Sequence, residues 1–317
     1  MSFESLAKSG RSRGIQAALI SAVFLGLAPI FGKQAILVGF SWLAVVAFRT
    51  VLAALLVILL MVFSQRQYFY IYPVGLVGCI LAGLVNGLGS LLYYSALGRI
   101  DASLGQILYS FYPIFVAFWL MLDRQPLSRI TVFRLILSIL AVFFLLHTDQ
   151  KSVDLIGFGM MLGAAALYGL HLLINQRVLY DVPPPTVTLY TLVSMSGVTL
   201  TAFLVFDRQL PAQGTTWWPI MALALVTFLS RITLFMGVKH LGGLQTALLG
   251  LAELFVTILL AHLFLGERLS SQQWIGAGFL GVSLLLVGLE KFHPEKRLTS
   301  RWLAWLRPPE QPTDIPW

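Results

Sequence analysis

Ten stretches of about 20 mostly apolar residues, the length a helix needs to cross a bilayer, constrain this chain more than any other feature of its sequence. Lipid offers backbone amides no hydrogen-bond partner, so chains cross it as helices or as closed barrels. The runs lie near 14–35, 41–63, 71–97, 102–122, 130–147, 155–177, 186–206, 216–238, 243–265 and 272–290. Turn chemistry or charge marks several junctions: Asp123-Arg124-Gln125-Pro126, Asp149-Gln150-Lys151 and Pro183-Pro184-Pro185. The weakest division separates the eighth and ninth runs, where only Lys239, His240 and Gly242-Gly243 interrupt. A soluble alternative fails on surface: 11% of residues are charged, against about 25% in soluble domains. The expectation is an all-α membrane protein of ten transmembrane helices.

Charge sets the orientation. The net charge of +8 does not point to nucleic acid, because the basic residues sit between apolar runs with no soluble basic domain to grip phosphates. Lys8, Arg11 and Arg13 precede a first run that lacks a cleavage site and is too long for a signal-peptide core, so it reads as a retained span. With both termini cytoplasmic, 13 Lys and Arg fall at inner span ends, loops and tails and 5 at outer ones, in keeping with the positive-inside bias. The tails supply 8 of the 13, so the internal loops divide evenly. The segment Arg301–Arg307, mixing Trp and Arg, reads either as an interfacial helix or as part of an unstructured tail. Cys79 stands alone, which excludes an intrachain disulfide.

The sequence matches itself at an offset of 141–143 residues. Residues 93–128 lie over 234–270, with Leu104–Ile107 over Gln245–Leu248 and Leu127-Ser128 over Leu269-Ser270. Gly26 falls near Gly169, and Lys33-Gln34 near Gln176-Arg177. Five spans per half is an odd number, so the second half crosses in the opposite sense. Such inverted repeats are common in secondary transporters, whose substrate site lies between the halves near mid-membrane. The implied organisation is a cytoplasmic tail (1–13), two five-helix repeats (14–147 and 154–290) and a C-terminal tail (291–317).

At these residues the chain resembles the EamA-type branch of the drug/metabolite transporter superfamily. The similarity rests on Ala47-Phe48-Arg49 in the second span, Ala96-Leu97 closing the third, Pro113-Ile114-Phe115 in the fourth and Leu265-Gly266-Glu267-Arg268-Leu269 closing the ninth. It covers about residues 14–290. Two departures stand out: the first repeat carries Asp123-Arg124-Gln125 in place of the Gly-Glu step, and the ninth span has Glu253-Leu254 where the family often has Glu-Pro. The resemblance implies an exporter or exchanger of small metabolites, often amino acids. No nucleotide-binding motif accompanies Gly105 or Gly242-Gly243, so direct ATP drive is not expected.

Ionisable residues inside spans are costly and usually face protein or a wet cavity. The deepest are Arg49, Arg231 and Glu253, with His171 and His262 as weaker cases. Arg231 and Glu253 lie at similar depth on neighbouring antiparallel spans, so they either lock those spans as an ion pair or contact a charged substrate group or a proton. Arg49 occupies the family's arginine position and reads as a structural charge in the bundle interior. Helical spacing aligns Asn86, Ser90 and Tyr94; Thr227 and Arg231; Tyr168, His171 and Asn175; and Thr246, Gly250, Glu253 and Thr257. These stripes line a cavity or form interhelical hydrogen bonds, about 0.6 kcal/mol each in membrane bundles. Tyr109 and Tyr112 share the fourth span, with Tyr112 at the repeat equivalent of Glu253; they contact substrate or simply pack. The candidate set for substrate or proton is Arg231, Glu253, Asn86, Ser90, Tyr109, Tyr112, His171 and Asn175.

The expected activity is secondary transport of a small organic metabolite, such as an amino acid, outward across the inner (cytoplasmic) membrane, by alternating access between two inverted repeats. Enzyme chemistry is not expected: no His-Glu-x-x-His or similar metal cluster occurs, no nucleophile and base can be named, and no cofactor is implied. Expected partners are the metabolite, the lipid bilayer and protons as coupling ion, with a homodimer left open and nucleic acid excluded. The competing readings are a facilitative channel, disfavoured by the lack of rings of like charge, and a non-transporting assembly or sensor subunit on the same fold.

Overall fold

The computed structural model describes residues 3–64, 66–100, 102–123, 127–145, 154–212, 214–256 and 271–286. All regular structure among them is helical: α1 (Phe3–Leu37), α2 (Trp42–Ser64), a 3-10 turn (Arg66–Phe69), α3 (Pro73–Arg99), α4 (Ala102–Tyr109), α5 (Tyr112–Leu122), α6 (Arg129–Leu145), α7 (Leu155–Val178), α8 (Pro184–Phe206), α9 (Trp218–Leu241), α10 (Gly243–Gly250) and α11 (Ser271–Leu285). The C-terminal tail, Thr257, His262 and Leu265–Leu269 lie outside the described residues. Helix α1 begins at Phe3, so the segment read as a tail is helical from its third residue.

Several starts are written into the sequence. Pro73, Pro184 and Pro219 sit in the first turns of α3, α8 and α9, where a missing N–H costs nothing. Asp154 caps α7, its Oδ1 accepting from the N–H of Ile156 (2.9 Å) and Gly157 (3.3 Å). Partial desolvation works against the ionised carboxylate, but the Gly157 and Ile156 amides and the adjacent Arg99 outweigh it and hold the acid below its ordinary range. The faint junction after the eighth run is sharp in space: Gly242, at φ 84° and ψ 164°, separates α9 from α10, a conformation essentially confined to glycine.

Among the described residues, seven helical segments are long and apolar enough to cross a membrane: Gly10–Leu37, Trp42–Phe63, Pro73–Arg99, Gly105–Leu122, Leu155–Val178, Pro184–Phe206 and Trp218–Leu241. Shorter apolar helices are α6, with 17 residues, and the stretches Gly243–Val256 and Trp274–Ser283. The fourth run is not one helix. It breaks at Ser110-Phe111, between α4 and α5. Pro113 has no N–H to give the Tyr109 carbonyl, and the Phe111 amide turns back to the Leu108 carbonyl at 3.3 Å. The ninth run breaks at Leu251, whose amide bonds to the Leu249 carbonyl; helix resumes at 252–256.

Helix α1 packs on α9 and α10, α3 on α7 and α8, α2 on α8 and α9, α5 on α7, and α6 on α11. Small residues permit the closest approaches. At Gly83 an added Cβ would lie 2.5 Å from Ser194 Cβ and 2.6 Å from the Thr191 carbonyl of α8. At Gly26 it would lie 2.8 Å from the Glu253 carbonyl. Leu59, Phe63, Phe133, Phe143, Phe206 and Met221 form part of an apolar exterior, as a lipid-facing bundle requires.

Candidate functional site

The two broken helices meet. An added Cβ at Gly250 would fall 2.2 Å from the Tyr112 hydroxyl, and that hydroxyl donates to the Ala247 carbonyl at 3.0 Å. In an unbroken helix the amide of Leu251 would have taken the Ala247 carbonyl. The phenol of one broken helix therefore fills a vacancy opened by the break in the other.

From this junction a continuous row of rings crosses the molecule. Tyr94 packs on Tyr93 (centroids 5.2 Å), Tyr93 on Tyr109 (5.0 Å), Tyr109 on Tyr112 (5.6 Å) and on Tyr168 (5.4 Å), and Tyr112 on Tyr168 (5.1 Å). His171 stacks on Tyr168 at 5.8 Å. A guanidinium covers each end: Arg49 lies 4.7 Å from the Tyr94 ring centre, and Arg231 5.6 Å from that of Tyr168.

Arg49 donates to Ser90 Oγ (3.1 Å) and to Thr227 Oγ1 (3.5 Å), tying α2 to α3 and α9. Arg231 faces His171 Nε2 at 3.3 Å, while His171 Nδ1 lies 3.0 Å from the Ala82 carbonyl. A carbonyl only accepts and a guanidinium only donates. Neutral imidazole with its proton on Nδ1 satisfies both, and leaves the Asn175 amide nitrogen, 3.0 Å from the same Nδ1, without a bond to the ring. Asn175 donates to the His171 carbonyl at 2.8 Å and accepts from Thr191 at 3.3 Å. Asn86 donates to Met195 Sδ of α8 at 3.2 Å. Glu253 is 2% exposed, and its Oε1 has no hydrogen-bond partner.

Arg231, His171 and Asn175 thus form one hydrogen-bonded chain, Ser90 serves Arg49, and Tyr109 and Tyr112 sit in the ring row. Arg231 and Glu253 do not form the ion pair that their depth suggests: among the described residues, ion pairs form instead at Arg99–Asp154 and Arg177–Asp123. Helical spacing alone misses Tyr93, and with it Gln106, which accepts from the Tyr93 hydroxyl at 3.1 Å. Tyr93 adjoins Tyr94, so only one of the two fits a single helical stripe; packing against Tyr109 is what brings it in.

The EamA-like transporter family's sequence profile matches residues 12–147 and again residues 155–289. The chain belongs to the EamA-like transporter family. It is accordingly a multi-pass membrane protein of the drug/metabolite transporter type. A solved crystal structure 17% identical in sequence superposes on this EamA protein with a TM-score of 0.68, covering 89% of this chain and 97% of that one, which is a likeness of fold. YcbK of Bacillus subtilis (strain 168), described as an uncharacterized transporter, is 24% identical over 218 residues, 64% of this chain and 68% of its own length.

The EamA chain also buries charge where the sequence reads as loop. Arg177, in the last turn of α7, pairs with Asp123 at the end of α5; their side chains are 8% and 0% exposed. The adjacent Gln176 accepts from the Gly243 amide, at the start of α10, at 2.7 Å. Two consecutive residues of α7 therefore hold one end of each broken span. A carboxylate and a guanidinium 54 residues apart carry no sequence signal of contact beyond their opposite charge.

Proposed function

We propose that the protein is a secondary carrier that exports a small organic metabolite, such as an amino acid, across the cytoplasmic membrane by alternating access. Its units are two inverted five-span halves, 14–147 and 154–290, with both termini inside. The repeated family match supports this division. Packing supports it too, because exchanging the halves converts one set of contacts into another: α1 on α9 becomes α7 on α3, α2 on α9 becomes α8 on α3, and α4 on α7 becomes α10 on α1. The α2–α8 and α6–α11 contacts exchange into themselves. In this reading α10 with 252–256 belongs to the ninth span and α11 to the tenth.

The observation that carries the reading is the paired break. Spans four and nine are interrupted at Ser110-Phe111 and Leu251, at equivalent places in the two repeats, and they touch through Tyr112 and Ala247. Interrupted helices at corresponding positions of two repeats mark the substrate site of many carriers, because they bring free backbone ends to mid-membrane. Tyr112 and Glu253 follow the two breaks at equivalent positions. Glu253, buried with an unpartnered oxygen, is the residue we assign to a coupling proton or a substrate ammonium group. Tyr109, Tyr112 and Tyr168 offer ring faces to the substrate body.

The test is flux in proteoliposomes of pure protein, screened with labelled amino acids and related metabolites, with and without an imposed pH gradient. Saturable, gradient-sensitive flux that Glu253→Gln abolishes is expected. Full gradient-driven flux in that variant would remove Glu253 as the coupling site, and absence of saturable flux for every compound would count against a carrier.

A further inference from the structure

The ring row admits two opposite chemistries. Tyrosine faces with a buried carboxylate suit an organic cation, as in an aromatic cage; the two guanidiniums suit an anion. From the arginines we infer that the two guanidiniums seat an oxyanion, so that the substrate presents a carboxylate or a similarly sized acidic group to Arg49 and Arg231 together. This rests on the carrier reading above and assigns the substrate's polar end.

Both guanidinium-bearing residues are more than nine-tenths buried. Arg49 reaches α9 at Thr227, one helical turn from Arg231, so the two charges converge on one face of that helix. Their partners are neutral: Ser90, Thr227 and the Tyr94 ring for Arg49, His171 and the Tyr168 ring for Arg231. His171, with its proton held on Nδ1, brings no charge of its own. The Nε of each arginine is buried without a hydrogen-bond partner, and no ion pair joins either to an acidic residue among the described residues. Two buried like charges that no carboxylate pairs directly are strongly unfavourable, and a ligand bearing one negative group relieves both at once. A ligand carrying only a cation would add a third positive charge beside the two guanidiniums, which ring faces and the single carboxyl of Glu253 do not offset. Arg49 is thus a ligand-binding residue, beyond the structural role its family position suggests, and His171 is the positioning residue that aims Arg231.

The test uses three probes with one body and different heads: 3-phenylpropionate, its neutral amide, and 3-phenylpropylamine. Binding to the full chain in detergent is followed by thermal shift, and flux by uptake into proteoliposomes. Saturable stabilisation by the carboxylate, at least tenfold stronger than by amide or amine, is expected. Arg231→Gln and Arg49→Gln should each weaken it tenfold or more, and the Lys variants less, because charge is kept while the fork is lost. Size-exclusion profiles of the Lys variants guard against misfolding. Equal or tighter binding of the amine, no carboxylate binding up to about 50 mM, or carboxylate binding indifferent to both Gln variants would each overturn the anion seat. Carboxylate binding without flux would keep the seat and sink the carrier; amine flux without carboxylate binding would do the reverse.

Discussion

Replacing Asp123 by Asn removes one half of the buried pair that ties α5 to α7. The Asp123 side chain is fully buried and that of Arg177 is 8% exposed, so water cannot take over the abandoned guanidinium. Stripping one partner from such a pair costs about 3–5 kcal/mol, mainly through the charge left behind. Replacing both partners by neutral side chains of similar size should cost much less, because the desolvation penalty disappears with the charges. A double-mutant cycle of Asp123→Asn and Arg177→Met should therefore show strong non-additivity, with a coupling of about 0.5–3 kcal/mol. Equilibrium unfolding in mixed micelles with increasing denaturing detergent measures all four proteins. An Asp123→Asn variant within about 0.5 kcal/mol of the parent, the usual span of changes away from such features, would refute the reasoning. So would a double variant whose cost equals the sum of the singles. Because Gln176 holds the start of α10 from the next position, the single variant should also make this end of the bundle more accessible to polar thiol reagents attached at introduced cysteines.

Three further outcomes follow from the geometry. Gly83→Ala places a Cβ about 1 Å inside ordinary contact with Ser194 and the Thr191 carbonyl and should cost about 1–3 kcal/mol, whereas Gly197→Ala, with nothing within 4 Å, should be neutral or stabilising in the same unfolding assay. Tyr112→Phe strands the Ala247 carbonyl and should cost about 1–3 kcal/mol, with altered flux, since it uncouples the two broken helices; an unchanged stability would mean that another donor replaces the phenol. The Asp154 carboxyl is held below its ordinary range by the α7 amides and Arg99, so its stabilising contribution is complete above the unfolded-state value of about 3.9 and disappears as pH falls through the lower folded-state value. Asp154→Ala should lower the thermal midpoint at neutral pH and flatten its fall in acid, and an unchanged acid slope would count against the cap.

What the sequence announces and what it conceals divide along physical lines. The long apolar runs locate helices because lipid demands length and apolarity, and the edges at Pro73, Asp154 and Pro184 fall within a turn of where the runs place them. The interruptions inside spans four and nine are hidden, since Ser110-Phe111 and Leu251 keep an apolar run apolar; Pro113 is visible but reads equally as a kink or a break. Helical spacing aligns His171 with Asn175, one turn apart on α7, and Thr227 with Arg231 on α9, but the Arg231–His171 contact across those helices is carried by no single stripe. Asn86 makes an interhelical hydrogen bond to Met195, one of the two roles its stripe allows, and of the two readings of Arg231 and Glu253 the ion pair does not form, because depth along a helix says nothing of its rotation. Arg177 and Asp123 look like loop charges. Their burial arises from the way α5, α7 and α10 close on each other, which no local pattern encodes.

Cys79 is the chain's single cysteine; it is wholly buried on α3, beside Thr191 of α8 and one turn before the tight crossing at Gly83. The protein therefore carries one thiol, shut inside a helix–helix seam. A membrane-permeant maleimide can reach it only when that seam parts, so its labelling rate in unaltered protein counts how often α3 and α8 separate. Transport, if it moves these helices, will leave its rhythm in the chemistry of one sulfur atom.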